Sequence, residues 1–224
     1  MNPLISSDCD AGALEEACPT TGWKARVARQ FGKPEGRMGR LAGYAMSVKN
    51  KARSKWVLSL LEIEAVDRVL EIGFGSGRDL RRVAALATAG LTAGVDHSAE
   101  MVKMARGNSI GAILAGRADI RLGSADCIPF PDACFTKAFS INAVQFWRDR
   151  RAALAEIRRV LRPGGLVAIA LEPRGASNPE LALANGRVIA ADLEAAGFQQ
   201  VRLESSGLGR VPTVCVIGLK GDPQ

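Results

Sequence analysis

Three glycines at alternate positions, Gly73, Gly75 and Gly77, follow directly on the run Val69-Leu70-Glu71-Ile72. A turn of this kind lets the backbone approach a ligand with no Cβ in the way, at the carboxyl edge of a parallel sheet where open α/β folds bind their ligands. The spacing is GxGxG, not the GxGxxG of a dinucleotide site, and a carboxylate, Glu71, stands two residues before it. A pyrophosphate has no use for that charge, whereas a positively charged ligand does. A second apolar run ends in Asp96, within the roughly 20-residue distance at which an acid accepts hydrogen bonds from ribose hydroxyls. Glu71, the glycine turn and Asp96 together describe an adenosine with a cationic tail. Two further segments belong to the same edge: Gly123-Ser124-Ala125-Asp126-Cys127-Ile128-Pro129-Phe130, whose Asp126 suits an adenine amino group, and Phe139-Ser140-Ile141-Asn142, followed by Ala143-Val144-Gln145-Phe146-Trp147.

Positioning these residues requires a sheet. From residue 66 the chain alternates short β-branched apolar runs with longer helical patterns, the signature of βαβ units. Strands are expected over Val66–Ile72, Leu91–Asp96, Asp119–Gly123, Cys134–Ile141, Leu166–Leu171, 201–206 and 211–219. Helices are expected over 77–88, from an N-cap at Ser98 to Arg106, from Asp149 to Leu161, and over Leu181–Ala196 closed by Gly197. The Arg162-Pro163-Gly164-Gly165 sequence stops the third of these helices, because proline cannot continue it and glycine supplies the left-handed turn. The fold class that follows is α/β, a doubly wound seven-stranded sheet.

The first 65 residues differ. Residues 1–22 have no periodicity and are expected to be mobile. Residues 23–65 read as a basic helical lid: Met38, Leu41, Ala45, Val48, Ala52, Trp56 and Leu60 recur at helical spacing, with Arg37, Arg40, Tyr44, Lys51 and Lys55 on the opposite face. The domain that carries the glycine turn is expected over 66–224.

Composition bounds the rest. The 224 residues, 47% hydrophobic and 24% charged, suit a single globular domain with a modest appendage. The longest apolar runs fall far short of the ~20 residues of a membrane span, and the acidic N-terminus is unlike a signal peptide, so a cytoplasmic location is expected. Five cysteines without a CxxC pair read as free thiols, and a single histidine, His97, argues against a His–His metal pair; no metal is expected. The net charge of +7 is local: residues 24–55 hold ten basic residues and one acid, residues 1–23 hold four acids, and +2 remains for 56–224.

The motifs LEIGFGSG (70–77), GVDHS (94–98), GSADCIPFP (123–131), FSINAVQFW (139–147) and RRVLRPGGLVAIA (158–170), in this order, resemble the class I S-adenosylmethionine-dependent methyltransferases. The resemblance is to the small-molecule group that includes the ubiquinone and menaquinone C-methyltransferases, and it covers roughly residues 56–219. It implies a Rossmann-like sheet and S-adenosyl-L-methionine as cofactor. It also implies that Gly73 and Gly75 pass beneath the methionine part, that Glu71 lies near the sulfonium or amino group, and that Asp96 takes the ribose hydroxyls. By the same resemblance His97 and Met101 flank the adenine, Ala125, Asp126 and Cys127 hold its edge, and Ser140 approaches the methionine. Asn142, Gln145 and Trp147 then fall where the family binds its acceptor, and Tyr44 is a candidate lid residue. Phe146 and Trp147 serve equally well as packing for the next helix.

Methyl transfer from a sulfonium is an in-line displacement that depends on positioning and exclusion of water, with no obligatory base; no residue is assigned as one. The favoured reading is a small-molecule methyltransferase. A phospholipid-headgroup N-methyltransferase, held to an anionic membrane by the basic helix, is the alternative, although that helix is rich in Ala and poor in Leu and Phe. RNA methylation ranks below both, since only Trp23, Phe31 and Tyr44 interleave the basic residues. Oligomeric state is not legible in the sequence.

Overall fold

The apolar runs form one seven-stranded sheet in a computed structural model that describes residues 51–173, 178–207 and 212–222. In chain order the elements are α1 (Lys51–Leu60), β1 (Arg68–Ile72), α2 (Arg78–Leu86), β2 (Leu91–Asp96), α3 (Ala99–Asn108), α4 (Ile110–Leu114), β3 (Ala118–Leu122), β4 (Phe135–Ile141), a 3-10 turn (Val144–Phe146), α5 (Arg150–Val160), β5 (Leu161–Leu171), α6 (Pro179–Ala195), β6 (Phe198–Ser205) and β7 (Val214–Lys220). The strand order is β3-β2-β1-β4-β5-β7-β6. Strands β1 to β5 run parallel, and β7 runs antiparallel to both β5 and β6. Strand order reverses between β1 and β4, and that crevice is where such a sheet binds ligands.

The central strands are covered on both faces and therefore read as near-continuous apolar runs. One face packs Leu70, Ile72, Ala138, Val167 and Ile169 against Leu154 and Ile157 of α5 and Ile189 and Leu193 of α6. The other packs Val69, Phe139, Ala168 and Ala170 against Val57 and Leu58 of α1 and Val83 of α2. Local chemistry sets the helix ends: Ser98 Oγ accepts from Met101 N–H, Asp149 Oδ1 accepts from Ala152 N–H at 3.0 Å, and Gly197 takes a left-handed φ of 84° after α6.

At the amino edge of β1, buried Asp67 is closed by protein. It pairs with Lys137 Nζ at 2.7 Å and accepts from Thr136 Oγ1 at 2.7 Å and from Glu64 N–H at 2.7 Å. Burial alone would raise this carboxyl; the bonds from Lys137, Thr136 and Glu64 outweigh it and hold Asp67 below the usual carboxylate range.

The sequence reading needs four corrections. Strand β5 begins at Leu161, not Leu166: Leu161 pairs with Phe135, and the proline-glycine segment is absorbed as an irregularity in register, with Gly164 at φ 71°. The short helix α4 was not expected. Helix α1 buries Ser54, Val57 and Leu58, with Leu61 following, whereas Ala52 is exposed and Trp56 and Leu60 are only partly covered. The expected stripe therefore does not continue in phase through α1, because this helix docks by its 54-57-58-61 side. Lys51 and Lys55 are exposed as expected; Met38, Leu41, Ala45, Val48, Arg37, Arg40 and Tyr44 lie outside the described residues. Among the described cysteines, Cys134 and Cys215 are free and buried, and Cys127 is disulfide-bonded, contrary to the expectation of free thiols. Among the described residues no helix is long and apolar enough to cross a membrane.

Candidate active site

The turn after β1 has its three glycines at φ 76°, 54° and 71°, a region closed to most side chains, so Gly73, Gly75 and Gly77 are dictated by backbone shape. The glycines serve different purposes. A Cβ on Gly73 would collide with the Ala143 side chain and one on Gly77 with Ala105, whereas a Cβ on Gly75 would meet nothing within 4 Å. Gly73 and Gly77 make room for protein, and Gly75 borders open space.

Asp96, at the end of β2, binds this turn. Its Oδ2 accepts from Gly75 N–H at 2.9 Å and its Oδ1 from Ser98 N–H at 2.9 Å. Each carboxylate oxygen has a second lone pair, so the group still accepts from a ligand. His97 Nδ1 lies 3.8 Å from Asp96 Oδ1, and Met101 packs against the small core cluster that includes Phe74 and Leu80.

Glu71 is only 3% exposed and its Oε2 is buried with no hydrogen-bond partner. Burial first, and then the neighbouring charges of Asp79 and Asp96, push its carboxyl well above the usual carboxylate value, with Leu80 N–H and Arg82 opposing. Asp79, in the first turn of α2, is itself held by Ser54 Oγ at 2.8 Å and Arg82 Nη1 at 2.6 Å.

The loop after β3 completes this side. Ser124 and Cys127 bridge across a tight turn, Cys127 N–H donating to Ser124 O at 3.2 Å, which presents Ala125 and Asp126 at its tip. Arg148 lies 3.5 Å from Asp126. Arg159 of α5 holds the loop from behind, donating to the carbonyls of Ile128 and Phe130, each at 2.9 Å, and to Asp132 at 2.6 Å. Glu156 grips Arg159 and accepts from Ile128 N–H at 2.9 Å. Its hydrogen bonds keep Arg159 more firmly protonated than a free guanidinium.

An orphaned buried carboxylate oxygen, an aspartate at the neighbouring strand end and open space over Gly75 fit a ligand with one cationic end and a ribose diol. The methyltransferase-domain profile matches residues 70–169. The uncharacterized methyltransferase YdaC of Bacillus subtilis is 31% identical over 183 residues, 80% of this chain and 98% of YdaC. The chain belongs to the class I S-adenosylmethionine-dependent methyltransferases. The O-methyltransferase rstn1 of Aspergillus nomiae is 34% identical over 116 residues, 51% of this chain and 51% of that enzyme; the chain spans about half the length of that relative. The fold is that of the methyltransferase structure from Aquifex aeolicus, with a TM-score of 0.63 at 20% identity, over 79% of this chain and 97% of that one.

In this methyltransferase the sequence-derived residues do not all reach the same space. Glu71, Gly73, Gly75, Asp96, His97 and Met101 surround the turn, and Ala125, Asp126 and Cys127 form the adjoining loop. Ser140 is fully buried and its hydroxyl donates to Ile72 O at 3.0 Å, fastening β4 to the end of β1 beneath the turn. Asn142, at φ 55°, accepts through Oδ1 from Glu172 N–H at 2.8 Å and ties the ends of β4 and β5 together. Gln145 is exposed, and Trp147 packs partly against the main core, the packing side of its two readings. Tyr44 lies outside the described residues.

Sequence reasoning missed the residues that join α1 to this edge. Arg53 donates from Nε to Thr213 Oγ1 at 2.9 Å and forms an ion pair with Glu172, while its neighbour Ser54 reaches Asp79. One helical turn thus touches both the β5–β7 end of the edge and the first turn of α2. Arg159 and its neighbour Glu156 were legible within the helix before LRPGG, but the loop groups that Arg159 holds, the carbonyls of Ile128 and Phe130 and the carboxylate of Asp132, are 27 or more residues away, and no local pattern connects them.

Proposed function

We propose that this enzyme methylates a small-molecule acceptor by in-line transfer, with a hydroxyl oxygen as the favoured accepting atom. The observation that carries the small-molecule reading is the position of α1: Arg53, paired with Glu172 and bonded to Thr213, fixes the start of this helix at the carboxyl edge of the sheet, beside the cofactor side. The similarity to an O-methyltransferase over half the chain supports the choice of oxygen.

Glu71, Gly73, Gly75 and Asp96 hold the cofactor in this reading, with His97, Met101, Ala125, Asp126 and Cys127 around its base. Bound there, S-adenosylmethionine supplies a methyl group on a sulfonium, whose neutral thioether is a good leaving group. Asp96 receives the ribose hydroxyls on lone pairs left over from its two backbone bonds. Gly75 keeps the space above it clear. Ser140 acts through Ile72, holding the end of β1 in place, and Asn142 acts through Glu172. Exclusion of water at the transfer point lets the reaction proceed through alignment of the two partners. The enzyme works in the cytoplasm in this reading, and the membrane and RNA alternatives rest on basic residues mostly outside the described part of the chain.

A transfer assay with methyl-labelled cofactor and the full chain distinguishes these readings. Label is expected in phenolic or alcoholic small molecules in preference to amines, thiols and quinones. Transfer confined to RNA, or to phospholipid in anionic vesicles, would overturn the small-molecule assignment.

A further inference from the structure

Three carboxylates converge behind the glycine turn, and they are not equivalently served. Asp96 of β2 takes N–H bonds from Gly75 and Ser98. Asp79 of α2 takes Ser54 and Arg82. Glu71 of β1, the most deeply buried of the three, keeps its Oε2 with no partner. Its register neighbours are Gly94 on β2 and Phe139 on β4, neither of which carries a polar side chain. The charged groups facing Glu71 are Asp79 and Arg82 from α2 and Asp96 from β2; α1 contributes Ser54, which is bound to Asp79.

Resting on the cofactor site assigned above, we propose that Glu71 carries a proton in the ligand-free enzyme and releases it to solvent when the cationic methionyl end of S-adenosylmethionine binds. Three carboxylates this close do not all ionise, and the proton falls on the one whose charge is least compensated by donors. An unpaired buried anion is costly, whereas a neutral carboxyl with one open oxygen is far less so. The shift of Glu71 above the usual carboxylate value agrees with this. A ligand cation reverses the balance: it supplies the missing counter-charge, the O–H bond of Glu71 breaks, and the proton leaves for buffer while the carboxylate stays. Affinity for the cofactor therefore rises with pH, by up to about tenfold per pH unit, through the window between the bound-state and free-state values of Glu71.

Calorimetric titration of the full chain with S-adenosylmethionine, in two buffers of different ionisation enthalpy from mildly acidic to mildly alkaline pH, counts the protons released. About one proton per cofactor is expected inside the window, and none with 5′-methylthioadenosine, which has neither the ammonium nor the sulfonium. In Glu71→Gln the release disappears. Should Glu71→Gln fail to fold, the wild-type comparison of the two ligands decides. Tight binding of S-adenosylmethionine with no buffer-dependent heat at any of these pH values would overturn this inference alone, as would an undiminished release in a Glu71→Gln that still binds the cofactor. Absence of binding would overturn the cofactor site and this inference together.

Discussion

Asp67 and Glu71 are four residues apart at the two ends of β1, both almost fully buried, and their surroundings move them in opposite directions. Asp67, at the amino edge, is closed by Lys137, Thr136 and Glu64 and sits below the ordinary carboxylate range. Glu71, at the carboxyl edge, faces two more acids, keeps an oxygen without a partner and sits well above that range. Burial is common to both, so burial does not separate a structural acid from a functional one. The difference is whether the protein has completed the group's bonding or left it for something else.

The largest effect that would test this contrast is on stability. Asp67→Ala leaves Lys137 facing a buried site without its carboxylate and is expected to destabilise the fold by about 3 kcal/mol, read by denaturant unfolding, with cofactor affinity of the folded fraction unchanged. Glu71→Gln should do the reverse: a melting temperature equal to or above wild type, and cofactor affinity weaker by roughly 10- to 100-fold, the usual worth of a hydrogen bond to a charged group. The pH responses oppose one another too. The raised value of Glu71 means that the folded state binds more protons than the unfolded one, so its contribution to stability falls as pH rises from the ordinary carboxylate value through the raised one. The lowered value of Asp67 gives a contribution present above the unfolded carboxylate value and lost as pH falls through the folded one. Melting curves against pH should lose the first slope in Glu71→Gln and keep the second; if Glu71→Gln retains both, the contrast fails.

Smaller effects sharpen the boundary of the open side. Gly75→Ala strains a backbone at φ 54° by about 1 kcal/mol but finds no protein atom in its way, so a larger loss of cofactor affinity than of stability is expected by calorimetry and melting. Equal losses would mean that the space over Gly75 is not ligand space. Ser54→Ala removes one hydrogen bond to Asp79 and should cost about 1 kcal/mol by denaturant unfolding, since Val57, Leu58 and Leu61 still hold α1 to the sheet. A loss several times larger would make that bond, and not the apolar face, the anchor of α1.

The sequence was most legible where a residue's role is local. The glycine turn follows β1 directly, and Asp96 lies 21 residues beyond the Gly75 N–H that it accepts, close enough for a pattern to show. Caps at Ser98 and Asp149 depend on neighbours three residues away. Roles fixed by distant partners were not visible. Ser140 had the expected position at the end of β4, but its hydroxyl answers a carbonyl 68 residues away. Asn142 has the polar character of a substrate contact, yet a left-handed φ and Glu172 N–H account for it. The phase of α1 depends on Arg53 finding Thr213, 160 residues later. Periodicity identifies a helix readily and says less about which side of it meets the sheet when apolar and small polar residues alternate along both.

The two backbone bonds to Asp96 have a further consequence. A carboxylate on a free side chain must stop rotating when it captures a ligand, at about 0.5–1.5 kcal/mol for a flexible side chain. With one oxygen on Gly75 N–H and the other on Ser98 N–H, Asp96 has already stopped. That loss of freedom belongs to folding, so the enzyme meets each new cofactor molecule with its ribose acceptor already aimed.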